Sequence, residues 1–258
     1  LLDGVASMWC NVWGHSKKEL VSAMIKQTKK LQHSSLFNLT NDQAEMLAEK
    51  LVNISPGMRS VFYSYDVSTA MEVAIKMALQ YWKNIGIKNK TKFVSLQNGY
   101  HGDTIGTMSI GYVPLFFSEF KELLFPVIRT PTPDKYRMPR RFTFKEYQDV
   151  CLEKIKSIFS KNNDIAAFVM ESGAQVAGGV VIYPVGFQKK VSHLCKKYDV
   201  LFVLDEIATG FGRLGSFIEY QAQNSIPDIV TYGKMLTGGY LPLAVTLTNK
   251  KVYESANL

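Results

Sequence analysis

Val200-Leu201-Phe202-Val203-Leu204, followed at once by Asp205-Glu206 and then by Thr209-Gly210-Phe211-Gly212-Arg213-Leu214-Gly215, decides how the rest of the chain is read. Five apolar residues in a row, bounded by acids, suit a strand buried on both faces. A second apolar piece, Pro227-Asp228-Ile229-Val230-Thr231-Tyr232, runs into Gly233-Lys234, and Thr237-Gly238-Gly239 closes the segment. An acid and a lysine therefore each stand just past the carboxyl end of a buried strand, where open parallel sheets bind ligands. A lysine so placed, with an acid on the neighbouring strand, suits an amine that forms a Schiff base with a cofactor. The acid then suits the cofactor's protonated ring nitrogen. Plainer roles fit the same residues: Asp-Glu after a strand caps helices or ligates metals, and Gly-Lys is a frequent exposed turn.

The pattern strand, polar loop, helix recurs upstream. A helix is predicted over 144–160, a buried strand over 165–170 ending at Glu171, a glycine-rich loop through Gly173, Gly178 and Gly179, and a helix over 185–198. A strand over 92–96 ends in Asn98-Gly99-Tyr100-His101-Gly102-Asp103-Thr104, where an aromatic ring can stack on a flat heterocycle or simply fill a loop. A strand over 61–64 turns into a helix over 69–84. That geometry binds phosphate, because free backbone N–H groups and the helix dipole face the anion. Ser68 adds a hydroxyl, and Asp66 is a candidate N-cap. Helices are also predicted over 16–31, capped by Ser16, and over 41–54, capped by Asn41 and stopped by Ser55-Pro56-Gly57. Residues 111–142, with five prolines, read as an irregular surface excursion. Residues 1–14 read as a strand and turn, with Trp9 and Trp13 placed by default in the core and otherwise lining a pocket. The whole predicts an α/β domain, a mostly parallel central sheet with helices on both faces.

Length and composition set the class. With 258 residues the chain buries a substantial core, and 47% hydrophobic with 20% charged residues is ordinary for a globular protein. No apolar run approaches the ~20 residues of a membrane helix, and Leu1-Leu2-Asp3-Gly4 lacks the basic start of a secretory leader. The net charge of +8 comes from dispersed lysines on polar helix faces, a solvated surface and not a nucleic-acid footprint. Cys10, Cys151 and Cys195 are widely spaced, which argues against a disulfide framework or a zinc site and for a reducing, cytoplasmic compartment. Cys195, in a helical pattern, is expected in the core.

Three blocks together carry a resemblance: Gly99-Tyr100-His101-Gly102-Asp103-Thr104, Asp205-Glu206-Ile207-Ala208-Thr209-Gly210-Phe211-Gly212-Arg213, and Gly233-Lys234 followed by Leu236-Thr237-Gly238-Gly239. The chain resembles class III, fold-type-I pyridoxal-phosphate aminotransferases, and within them the biotin-pathway branch. Ala208, where many class III enzymes carry Gln, and the helix through Glu72-Val73-Ala74-Ile75-Lys76 mark that branch. The resemblance implies pyridoxal 5'-phosphate as cofactor and amino transfer to 8-amino-7-oxononanoate, giving 7,8-diaminononanoate, with S-adenosylmethionine or lysine as donor. The alternatives are another class III ω-amino-acid or diamine transaminase, or a truncated homologue that binds cofactor weakly.

It further implies that Lys234 forms the Schiff base and moves protons, that Asp205 pairs with the ring nitrogen, and that Tyr100 stacks on the ring. Ser68, Val67, His101 and Glu171 complete the cofactor site, and Trp9, Arg213 and Gly239 border the substrate. Residues 1–258 are then the large, cofactor-binding domain of a longer homodimeric enzyme with an additional N-terminal segment and a C-terminal small domain. Three positions depart from the family pattern. Tyr65-Asp66-Val67-Ser68 replaces a serine- and glycine-containing turn, which predicts weaker phosphate binding. Ser172 replaces a proline, and Met8 replaces a second tryptophan.

Overall fold

The computed structural model describes residues 1–257. A short helical turn, α1 (Ala6–Trp9), precedes α2 (Lys18–Lys30) and α3 (Asp42–Ile54). β1 (Met58–Ser64) feeds α4 (Val67–Asn84), and the chain continues through β2 (Lys92–Leu96), the short helices α5 (Ile105–Ile110) and α6 (Pro114–Phe117), and β3 (Ile128–Thr130). α7 (Phe144–Lys161) leads to β4 (Ile165–Glu171), the small hairpin of β5 (Ala174–Gln175) and β6 (Val181–Ile182), α8 (Phe187–Lys197) and β7 (Leu201–Asp205). α9 (Glu219–Ala222), β8 (Ile229–Tyr232), β9 (Ala244–Asn249) and α10 (Lys250–Glu254) follow.

Seven strands form one sheet in the order β1-β9-β8-β7-β4-β2-β3. β9 pairs antiparallel with both β8 and β1, and the other pairings are parallel. The mostly parallel sheet expected from the sequence is therefore present. Residues alternate cleanly across its centre. Ala167, Val169, Leu201 and Val203 face α4, whose Met71, Ala74, Ile75, Ala78 and Trp82 recur at helical spacing. Phe168, Met170, Phe202 and Leu204 face α7 and α8, through Ile155, Phe159, Phe187 and Val191. The alanines of α4 let its axis lie close to the sheet, and Trp82 Nε1 donates to the carbonyl of Ala166 at 2.8 Å.

Capping chemistry sets the helix starts. Asn41 Oδ1 accepts from the Ala44 N–H, and Asp66 Oδ1 accepts from the Thr69 N–H, both at 2.9 Å. Thr143 and Glu146 cap α7 reciprocally.

Several expectations are corrected. Residues 1–14 contain no strand: Ala6, Ser7, Met8 and Trp9 all have φ between +49° and +69°, a left-handed turn. Trp13 is 64% exposed and not core, whereas Cys195 is buried as expected. Ser16 does not cap α2, which starts two residues later after Lys17 with no side-chain cap. The excursion over 111–142 supplies an edge strand, β3, too short to show a period. α5 and β9 were not anticipated either. Among the described residues no helix is long and apolar enough to cross a membrane.

Phe168 is fully buried between α7 and the sheet, edge-on to Phe159 at 6.0 Å. Phe168→Ala is expected to destabilise the fold by about 3–5 kcal/mol. Urea unfolding reads this as a lower midpoint at unchanged slope.

Candidate active site

The carboxyl ends of β1, β2, β4, β7 and β8 meet at one cleft. Parallel register brings the two acids together, since Glu171 and Asp205 are direct partners across β4 and β7. Asp205 is 5% exposed. Its Oδ2 accepts from His101 Nδ1 at 2.8 Å, and its Oδ1 accepts from the Ile207 N–H at 2.9 Å. Ser172, in the position where the resembled family has proline, donates its N–H to the Asp205 carbonyl at 2.9 Å. A proline there would remove that bond.

Glu171 is equally buried and accepts from the Tyr100 N–H (3.1 Å) and the Val176 N–H (2.8 Å). It therefore fixes the loop that presents Tyr100 and His101. Burial, above all, pushes its carboxyl up to about 7; the nearby His101 opposes this and Asp205 adds to it.

Lys234 follows β8 with φ +43°. A non-glycine residue held in that region costs about 1–3 kcal/mol and persists only where its surroundings enforce it. Its Nζ lies 5.7 Å from the Trp9 ring centroid. Gly233, just before it, is required by contact. A Cβ there would stand 2.6 Å from Val67 Cγ1, so glycine lets the first turn of α4 approach the lysine-bearing strand.

Val67 and Ser68 occupy the first turn of α4, where N–H groups lack intrahelical acceptors. Ser68 Oγ accepts from the Asp103 N–H at 3.2 Å, leaving its hydroxyl hydrogen free to donate. Val67 takes a helical φ, so the turn does not need the glycine-only conformation that the sequence reading weighed against it. Asp66 is engaged as the N-cap, as the sequence suggested. Val67 therefore needs no glycine conformation, while the Asp66 carboxylate, turned to cap the helix, still stands beside the first turn of α4.

Trp9, Val67, Tyr100, His101, Glu171, Asp205 and Lys234 all line this cleft. Ser68 borders it through Gly102, at which a Cβ would lie 2.3 Å from Ser68 Oγ. Tyr100, Trp9 and Lys234 also line an adjoining cavity of about 900 Å³, walled by Met8, Met108, Phe116, Phe117 and Phe120, with Asp103 on its lining. The Tyr100 ring stacks on Phe117 (5.9 Å, 15°), and its hydroxyl donates to Asp103 Oδ2 at 3.0 Å. Burial and that bond push the phenol up to about 12.

Two expected substrate residues lie outside both cavities. Arg213 donates to the Trp9 carbonyl at 3.2 Å and touches the Met235 sulfur, bracing the left-handed turn. Gly239 packs against Cys10, where a Cβ would come within 3.0 Å. The sequence reading missed Val176, Ala177, Ile207 and Thr209 in the cleft and the Phe116–Phe117 wall. Their only sequence signal was adjacency to a glycine-rich loop or to Asp205.

The sequence matches the class-III aminotransferase family over residues 1–258. The chain belongs to that family. It is 47% identical over 259 residues to the adenosylmethionine-8-amino-7-oxononanoate aminotransferase of Staphylococcus aureus, covering 98% of this chain and 57% of that protein. To the Aquifex aeolicus protein of the same name it is 43% identical over 262 residues, covering 98% and 56%. The chain thus spans little more than half the length of these relatives. The solved structure of that enzyme from Methanocaldococcus jannaschii superposes with TM-score 0.88 at 42% identity, over 98% of this chain and 56% of that one. A PLP-bound amine transaminase from an uncultivated Pseudomonas species superposes with TM-score 0.94 at 31% identity, over 99% and 59%. This class-III chain therefore has the fold-type-I architecture.

The residues fit pyridoxal phosphate. An amine, a carboxylate fixed by two donors, a helix N-terminus with a free serine hydroxyl, and the buried, unpartnered Thr209 Oγ1 surround one cleft.

Glu206, next to Asp205 but facing away from the cleft, is fully buried and accepts from the N–H groups of Glu219 (3.0 Å) and Tyr220 (2.5 Å). Burial lifts its carboxyl from 4.5 to about 7 against the pull of those two donors. A folded-state value above the unfolded one means that the folded chain binds more protons between about pH 4.5 and 7. Stability therefore falls as pH rises through that window and levels off above it. Glu171 acts in the same direction. Glu206→Gln has no proton to lose there, so its urea midpoint is expected to fall less than the wild type's between pH 5 and pH 8. Equal falls would contradict the assignment.

Proposed function

We propose that this chain is the cofactor-binding part of a pyridoxal-phosphate aminotransferase. Its proposed reaction is amino transfer to 8-amino-7-oxononanoate, forming 7,8-diaminononanoate in biotin synthesis. The observation that carries the reading is the convergence of Lys234, Asp205 and the first turn of α4 on one cleft. The substrate class is supported by the 42–47% identity to relatives named for that reaction. It is supported also by a cavity whose walls suit a long aliphatic chain.

When bound, the cofactor supplies an electron sink for the carbanion beside the substrate nitrogen. Lys234 would supply the amine that holds the cofactor covalently and, freed when the incoming substrate amine takes its place, would act as the base that moves the proton at the reacting carbon. Asp205, fixed by His101 and the Ile207 N–H, would keep positive charge on the ring nitrogen. The Ser68 hydroxyl and the free amides of α4 bind the phosphate. Trp9 and Tyr100, shared by cleft and cavity, exclude water and align the chain of the acceptor. The amino donor is S-adenosylmethionine or lysine. A homodimer in the cytoplasm is the proposed setting: Leu123, on the cavity lining, and Leu115, next in sequence to the lining residue Phe116, are both more than half exposed and offer apolar surface to a second copy.

The test is amino transfer to 8-amino-7-oxononanoate with each donor in turn. Asp205→Asn is expected to bind cofactor more weakly and to lose turnover by orders of magnitude, because it no longer supports the charge on the ring nitrogen. Near-normal turnover of that variant would remove Asp205 from the mechanism. Transfer to ω-amino-acid or diamine partners only would replace the proposed substrate.

A further inference from the structure

α4 presents Ser68 and Glu72, one turn apart on the same face, to the loop after β2 and the start of α5 that it leads into. Ser68 Oγ accepts from the Asp103 N–H, and Gly102 lies so close that a Cβ would stand 2.3 Å from that oxygen. One turn on, Glu72 Oε1 accepts two bonds, from the Thr104 hydroxyl at 2.5 Å and from the Gly106 N–H at 2.9 Å. A Cβ on Gly106 would meet the same carboxylate at 2.3–2.7 Å. The loop is thus fastened to α4 at two levels. The upper level, Ser68 with Gly102, is the wall of the proposed phosphate site, and the lower level, Glu72, touches neither cleft nor cavity.

The chemistry of this acid is specific. A carboxylate one turn from a phosphate opposes it by charge, so Glu72 contributes as a hydrogen-bond acceptor or not at all. Both of its bonds go to one oxygen. We propose, building on the pyridoxal-phosphate reading of the site, that Glu72 is a positioning residue that sets affinity for the cofactor's phosphate by clamping the 102–104 loop and the start of α5 against α4. Gly106 is glycine because its neighbour must reach the backbone there.

Direct titration of pyridoxal 5'-phosphate and of unphosphorylated pyridoxal tests this in the full-length protein, with no activity readout. Glu72→Ala is expected to weaken the phosphorylated ligand about tenfold or more and to leave pyridoxal unchanged. Glu72→Gln, which keeps one oxygen able to accept both bonds and loses the opposing charge, is expected to bind the phosphorylated ligand at least as tightly as the wild type and to leave pyridoxal unchanged. Gly106→Ala should displace the carboxylate and reproduce the Glu72→Ala loss, and the double variant should be no weaker than either single one. Parallel losses for both ligands, a Gln variant as weak as Ala, or additive losses would each overturn the role of Glu72. Wild-type protein that binds pyridoxal as tightly as its phosphate would instead overturn the phosphate site on which the proposal rests.

Discussion

A carboxylate at the end of a central strand, cut off from water, is tolerated only where fixed donors or a cation meet it. Asp205 is that group, and much of the cleft follows from satisfying it. One oxygen takes the Ile207 N–H, which sets the turn after β7. The other takes His101, which requires the loop after β2 to fold back over the sheet. Glu171, one strand over and in register, holds that loop through the Tyr100 N–H. Each acid faces its own donors, and burial, with Asp205 adding to it, leaves Glu171 with a carboxyl raised to about 7.

The second constraint is close approach. α4 reaches the strand that bears Lys234 only because residue 233 has no side chain, and the loop reaches Ser68 only because residue 102 has none. These glycines bring backbone amides, a hydroxyl and an amine to one place. Gly102 and Gly233, each inside one of the class-III blocks, are positions where a Cβ would collide with a neighbour.

Legibility followed the same physics. The buried strands β4 and β7 announce themselves as apolar runs ending in acids, and α4 by apolar residues at helical spacing behind an Asp cap. β3 and the left-handed turn at Ala6–Trp9 do not. A three-residue edge strand shows no period, and a turn with four positive φ values is set by tertiary contacts such as the Arg213 bond to the Trp9 carbonyl. Arg213 and Gly239 sit in the recognisable blocks, and the structure places them against Trp9 and Cys10 and not on the lining of either cavity. The turn at Val67 reads in sequence as one that wants glycine; the chain instead starts its helix at Val67, two residues before the predicted start, with Asp66 as cap.

The most direct test of the account is to reduce the cofactor-loaded protein with borohydride and map the modified peptide by mass spectrometry. The account requires a single pyridoxyl-phosphate adduct on Lys234, the amine that shares a cleft with Asp205. An adduct spread over surface lysines, or none after loading, would contradict it.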